Sequence, residues 1–200
     1  MSDLFQDKAD DWDTRPIPAQ ISEGVFASLH EHVALTEDLR VMDFGAGTGL
    51  VCAQIAPHVE RVLAVDISRA MLDKLAAKPE LAGKVEIHCQ NIVDEPLGAT
   101  VDLVVSAMAM HHVEDTRALL RSLNDHLAPG GRVALADLDA EDGSFHPPDT
   151  EGVFHAGFDR EALGELLADA GFADVRFVTA CEVHKGERAY PIFLVTATKA

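Results

Sequence analysis

The sequence predicts an α/β protein built on a seven-stranded, mostly parallel, doubly wound sheet that closes with an antiparallel hairpin. Three observations predict it. From residue 41 to residue 138, short apolar runs suited to buried strands alternate with stretches of helical periodicity. The first apolar run ends in Gly45-Ala46-Gly47-Thr48-Gly49, a loop nearly stripped of side chains that opens a helix. Near the C-terminal end, two further apolar runs are separated only by residues 184–190, a spacing that makes them a hairpin.

The elements follow in order. Residues 3–17 are polar and acidic and hold Trp12, and Pro16 and Pro18 should stop a helix before it begins; an N-terminal arm over 1–18 is expected. Ile21, Val25, Phe26, Leu29 and Val33 recur at helical spacing, giving a first amphipathic helix over 19–33. Strands are expected at 41–44, 62–65, 85–89, 101–105 and 132–138, with helices over 50–56, from Ser68 as N-cap to Ala77, and over 115–127 between them. Such alternation implies right-handed crossovers, which place a ligand beyond the carboxyl ends of the strands. Residues 139–158 break the rhythm and read as an insertion on the acceptor side. A helix from Phe158 to Ala170 and strands at 174–183 and 191–198 complete a single domain over 1–200.

Bulk properties narrow the function. An apolar share of 48% with 6% aromatic residues suits a chain with a continuous core. No apolar run of eighteen residues occurs and the start lacks a leader pattern, so a cytoplasmic protein without a membrane partner is expected. With 34 acids against 16 bases, the formal charge of −18 repels a phosphate backbone and argues against nucleic acid as partner. Cys52, Cys89 and Cys181 lie far apart, with no metal-ligand spacing, and read as core residues; no metal is expected.

The glycine loop discriminates between cofactors. Counting from Gly45 and Gly47, the third glycine of a dinucleotide fingerprint would fall on Leu50, so the pyrophosphate reading fails. What stands is Asp43-Phe44-Gly45-Ala46-Gly47-Thr48-Gly49, which resembles motif I of the class I S-adenosylmethionine-dependent methyltransferases. Seventeen residues after Gly49, Asp66 ends the second strand, where a carboxylate can accept both hydroxyls of a ribose. Gln90-Asn91-Ile92 stands where relatives often carry Gly-Asp-Ala, and Val101 to Val113, with its paired histidines, resembles the family's motif IV.

The resemblance covers about residues 35–138 and implies a Rossmann-like three-layer α/β/α sandwich whose seventh strand inserts antiparallel between the fifth and sixth. It implies S-adenosyl-L-methionine as cofactor, held by Asp43, Gly45, Ala46, Gly47, Gly49, Asp66, Ile67, Met71, Asn91, Ile92, Ser106 and Met108. Asn91 or the nearby Asp94 would meet the adenine amino group, and Ser106 and Met108 would line the sulfonium side. The activity it implies is methyl transfer to an O, N or S atom of a small-molecule acceptor. A non-catalytic partner subunit that binds the same cofactor is the alternative, and a nucleotide-cofactor oxidoreductase a weaker one.

An O- or N-nucleophile needs its proton removed, and histidine is the natural base. His30, His32 and His58 belong to early helices and the surface. His111 and His112 follow strand four, and His146 and His155 sit in the 139–158 segment. One of His111 and His155 is expected to be base or orienter. Trp12 and Phe158 either close over the pocket or serve in ordinary packing. Asp137 and Asp139 end strand five, but Ser106-Ala107 offers no partner ligand for a metal-assisted site. The acceptor and the oligomeric state are not encoded in any of these motifs.

Overall fold

The structure is a computed structural model that describes residues 3–200. Its strands are β1 (Arg40–Phe44), β2 (Arg61–Asp66), β3 (Val85–Cys89), β4 (Val101–Ala107), β5 (Leu127–Leu138), β6 (Phe172–Lys185) and β7 (Arg188–Lys199). They form one sheet in the order β3-β2-β1-β4-β5-β7-β6. β1 to β5 pair in parallel, and β7 pairs antiparallel with β5 on one side and β6 on the other. The hairpin read from the sequence therefore inserts its second strand beside β5, as the resemblance implies. Both hairpin strands are longer than the apolar runs, because ladder hydrogen bonds carry pairing into the polar ends.

Side-chain alternation along the strands divides the core in two. Val41, Val62 and Ala64 face one layer, with Ile21, Val25, Leu29, Cys52, Ile55, Leu72 and Leu75 from α1 (Pro16–His32), α2 (Leu50–Ile55) and α3 (Arg69–Ala76). Met42, Leu63 and Val65 face the other, with Leu119, Leu120, Leu123, Leu163 and Leu167 from α4 (Thr116–Asp125) and α5 (Arg160–Asp169). Between Val101 and Leu103 the β4–β5 register shifts, so the Ala128-Pro129-Gly130-Gly131 stretch bulges out of a ladder that resumes at Arg132.

The N-terminal stretch departs from its expectation. Pro16 does not stop α1 but begins it: the first helical N–H is unpaired in any case and proline's φ suits the first turn. The preceding residues form two 3₁₀ turns, Gln6–Lys8 and Trp12–Thr14, laid across the carboxyl edge of the sheet. Asp3 accepts from the Ser68 hydroxyl at 2.9 Å and the Ala70 N–H at 3.1 Å, Asp13 from the Thr48 hydroxyl, and Asp10 and Asp13 pair with Lys74 and Lys78. Burial opposes the charge on Asp3, yet the Ala70 N–H and Ser68 hydroxyl outweigh it and hold its pKa below the ordinary value. Among the described residues, no helix is long and apolar enough to cross a membrane.

Candidate active site

β1 delivers the chain into the glycine loop, and the backbone N–H groups of Gly45 and Ala46 both donate to the Val65 carbonyl, at 2.8 and 3.0 Å. That sharing pulls the loop against the end of β2. Asp66 Oδ2 then accepts from the Gly47 N–H and Oδ1 from the Ser68 N–H, each at 2.8 Å. One carboxylate thus ties the loop to the start of α3 and keeps lone pairs for further donors. Burial raises its pKa, opposed by the N–H groups of Ser68, Gly47 and Ile67.

The loop's glycines differ in what surrounds them. A Cβ on Gly45 would fall well inside contact with the Ala109 methyl, and one on Gly49 would come within 2.7 Å of Leu75. Among the described residues, a Cβ on Gly47 would meet nothing within 4 Å. Space therefore opens at Gly47, beside Asp66. Ile67, one residue on, is 63% exposed, an apolar side chain standing free at the strand end where a flat ring can lie on it. An open bend, a carboxylate and an apolar platform together fit the amino-acid, ribose and adenine parts of S-adenosylmethionine.

Other expected contacts lie elsewhere. Asp43 is 1% exposed beneath the loop, where Cys52 Sγ donates to Oδ2 at 3.0 Å; it braces β1 against α2 and does not reach the opening. Ser106 is likewise turned inward: its hydroxyl donates to the Phe44 carbonyl at 2.8 Å and ties β4 to β1, so it does not line the sulfonium side. Ile92 is fully buried with Met42, Leu63 and Val65, because the turn after β3 rolls it under the sheet; its side chain cannot be a cofactor contact. Asn91 is exposed, but its Oδ1 accepts from the Val93 N–H at 3.1 Å and its Nδ2 donates to Asp94 at 2.7 Å, so the two residues proposed as alternatives hold each other. Met71 is buried on α3, with its N–H on the Ser68 hydroxyl. Met108 sits at the β4 exit with φ +58°, a strained conformation for a non-glycine residue, its N–H held by the Ala136 carbonyl at 2.9 Å.

Burial drives the Asp43 carboxyl up to about 7, and the neighbouring Asp66 adds to the shift. The folded chain thus binds that proton more tightly than the unfolded chain, whose carboxyl titrates near 3.8. Its contribution to stability is complete below about pH 4 and is lost as the pH rises to about 7. At about 1.4 kcal/mol per unit, the loss is on the order of 4 kcal/mol. Asp43→Asn removes the ionisation, so the variant is expected to gain on the parent chain in melting temperature between pH 4.5 and pH 8. A constant gap across that range would refute the assignment.

Opposite the glycine loop, the turn Met110–His112 after β4 and the end of β5 bring a second set of groups together. His111, 1% exposed, places Nδ1 2.7 Å from Oδ1 of the fully buried Asp137, whose Oδ2 accepts from the His111 backbone N–H at 3.2 Å. Its Nε2 lies 3.2 Å from Nε2 of His146. His112 donates from Nδ1 to the Gly152 carbonyl at 2.6 Å, and the ring of Phe5 stands edge-on to it at 5.2 Å between centroids. Burial first, and then the charge of His111, push His112 down to about 4.

His155 is not brought to this cluster as a free base. Its Nε2 is 2.9 Å from the Val113 carbonyl and 3.2 Å from the Thr116 hydroxyl, which pins the 139–158 segment to the start of α4. Phe158 is core, packed edge-on to Phe193, while Trp12 lies in the arm against Phe5 and Arg15. Asp139 is occupied by the Arg160 guanidinium, with both oxygens at 2.7 Å. Reading by spacing passed over Asp137 as a partner of His111, since 26 residues separate them and only the β4–β5 pairing brings them together.

Comparison with known proteins bears on the family and the fold. A family model described as a methyltransferase domain matches residues 19–176. An uncharacterized methyltransferase of Schizosaccharomyces pombe is 28% identical over 157 residues, covering 70% of this chain and 55% of that protein. The O-methyltransferase resE of Aspergillus sclerotiorum is 30% identical over 177 residues, covering 82% of this chain and 61% of that protein. The chain thus spans little more than half the length of these relatives. In fold, it resembles the N-methyltransferase NodS of Bradyrhizobium japonicum in complex with S-adenosyl-L-homocysteine, with a TM-score of 0.73, 16% identity and coverage of 98% of this chain and 94% of that one. With the motif I bend, the acid closing β2 and a matched domain over most of its length, the chain belongs to the class I S-adenosylmethionine-dependent methyltransferase family.

Proposed function

We propose that this chain methylates an O, N or S atom of a small molecule, with Gly45, Ala46, Gly47, Gly49, Asp66, Ile67 and Met108 on the cofactor side and the His111–Asp137 pair on the acceptor side. The observation that carries the reading is the meeting of both sets at one sheet edge: Ala109, three residues beyond Ser106 on the way to His111, packs against Gly45. When bound, S-adenosylmethionine supplies a methyl group already activated on a sulfonium, so the chain's own work is alignment, exclusion of water and handling of a proton. The arm supports exclusion of water, since it reaches from Thr48 and Ser68 on one side to His112 and Gly152 on the other. Residues 139–158 form the acceptor wall. A relative named as an O-methyltransferase supports oxygen as the atom.

Titration calorimetry with S-adenosylmethionine and with S-adenosylhomocysteine, followed by an acceptor screen, tests the proposal. Saturable binding of both and turnover of a small acceptor are expected. Binding without turnover would favour a non-catalytic partner subunit, and no binding of either would overturn the reading.

A further inference from the structure

His111 is too buried to meet an acceptor, and both of its ring nitrogens are engaged, Nδ1 by Asp137 and Nε2 by His146. His146 is only partly buried, and its Nδ1 bonds to none of the described residues. Its place is set by the hairpin. The Ser144 and Phe145 N–H groups donate to Glu141, Ser144 Oγ meets Tyr190 OH at 2.8 Å, Arg188 pairs with Asp142, and Lys185 donates to the Phe145 carbonyl while covering its ring. A loop tied at that many points holds His146 over His111 without freedom to swing away.

We propose that His146 is the catalytic base of the methyl transfer proposed above, that it passes the proton inward to His111 and Asp137, and that the acceptor is a weakly acidic O–H, such as a phenol or enol. In the resting state Nδ1–H of His111 donates to Asp137 and Nε2–H of His146 donates to Nε2 of His111. The acceptor O–H bond breaks, its electron pair stays on oxygen as the nucleophile, and an N–H bond forms at Nδ1 of His146. The Nε2 proton of His146 moves to His111, leaving His146 neutral and His111 an imidazolium against the Asp137 carboxylate. One buried carboxylate offsets one proton. The three histidines therefore share a single positive charge, matched by that carboxylate, not three.

The class of acceptor follows from the charges around His146. His111 and His112, both neutral in the resting state, face it from the β4 exit, while Lys185 from β6 and Lys8 from the arm supply the cations; burial first, and these groups after it, lower its pKa to about 4. Asp137 is the anion paired with this set, and Glu141, whose charge reaches Lys185, is already engaged by loop N–H groups. Such surroundings repel an ammonium and favour an oxyanion. A carboxylic acid acceptor would arrive ionised and need no relay, whereas a phenol holds its proton to about pH 10.

Long-range ¹H–¹⁵N correlation spectra of the histidine rings, recorded from pH 4 to pH 9 on the full chain, test the relay without any acceptor. The rings of His111 and His146 are expected to respond together to one shared proton, and His112 to stay neutral above pH 5. His146→Gln should leave a single step at His111, and Asp137→Asn, which changes a positioning residue, should move that step to lower pH. Independent titrations of His111 and His146 in the parent chain would overturn the proposal. With a phenol and a nitrophenol of similar size as acceptors, His146→Gln should lower kcat on the order of 100-fold for the phenol and far less for the ionised nitrophenol. Equal losses for both would also overturn it. S-adenosylhomocysteine binding by His146→Gln should match the parent, so failure of the relay is distinguishable from failure of the methyl-transfer reading.

Discussion

Asp66→Ala is expected to weaken S-adenosylmethionine binding on the order of 100- to 1,000-fold while the chain remains folded. Two losses add. The carboxylate's unused lone pairs are the ribose acceptors in the proposed site, and a hydrogen bond to a charged group is worth about 1.5–3 kcal/mol. The same carboxylate binds the Gly47 and Ser68 N–H groups, so its removal also frees the loop that the ligand must find in place. Asp66→Asn is expected to recover little, because its amide nitrogen would turn a donor toward one of two N–H donors. Calorimetry reads the affinity and circular dichroism the fold. An affinity within a few-fold of the parent chain would remove Asp66 from the cofactor site.

Gly45→Ala should be the most damaging single methyl in the loop. Gly45 has φ +71°, where a side chain costs about 1–2 kcal/mol, and its new Cβ would overlap the Ala109 methyl at the close approach of the β1 and β4 exits. Overpacking adds about 1–3 kcal/mol, which in a chain of this size lowers the melting temperature on the order of 10 °C in total. Gly47→Ala provides the contrast. With φ +54° it bears the backbone cost, but its Cβ would meet none of the described residues, so the melting temperature should fall by only a few degrees while cofactor affinity drops sharply. If the two variants melted alike and bound alike, the division of the loop into a packed side and an open side would be wrong.

The arm adds a constraint of its own. Its acids share the cofactor edge with Asp66, and the charge of Asp3 contributes to raising the Asp66 pKa. They are tolerated there because Lys74, Lys78, Ser68 and Thr48 each meet one. Part of the chain's large negative charge is thus locally matched rather than spread as a field.

What the sequence determined by itself was whatever depends on short range. Apolar alternation and glycine placement set the strands, the crossovers and the loop, because backbone preference and side-chain period act within a few residues. Asp66 was legible for the same reason, standing at a strand end a short helix away from the bend. Only the tertiary structure decided which polar groups share a partner. Asn91, Ile92 and Ser106 sit at the positions the resemblance assigns, yet a turn or one step of strand phase points them to a neighbour, to the core and to a carbonyl. Asp137, His111 and His146 are brought together from residues 26 and 35 apart by the β4–β5 pairing and by a loop that the terminal hairpin pins down. Such contacts are set by how sheets and loops pack, and no local spacing records them.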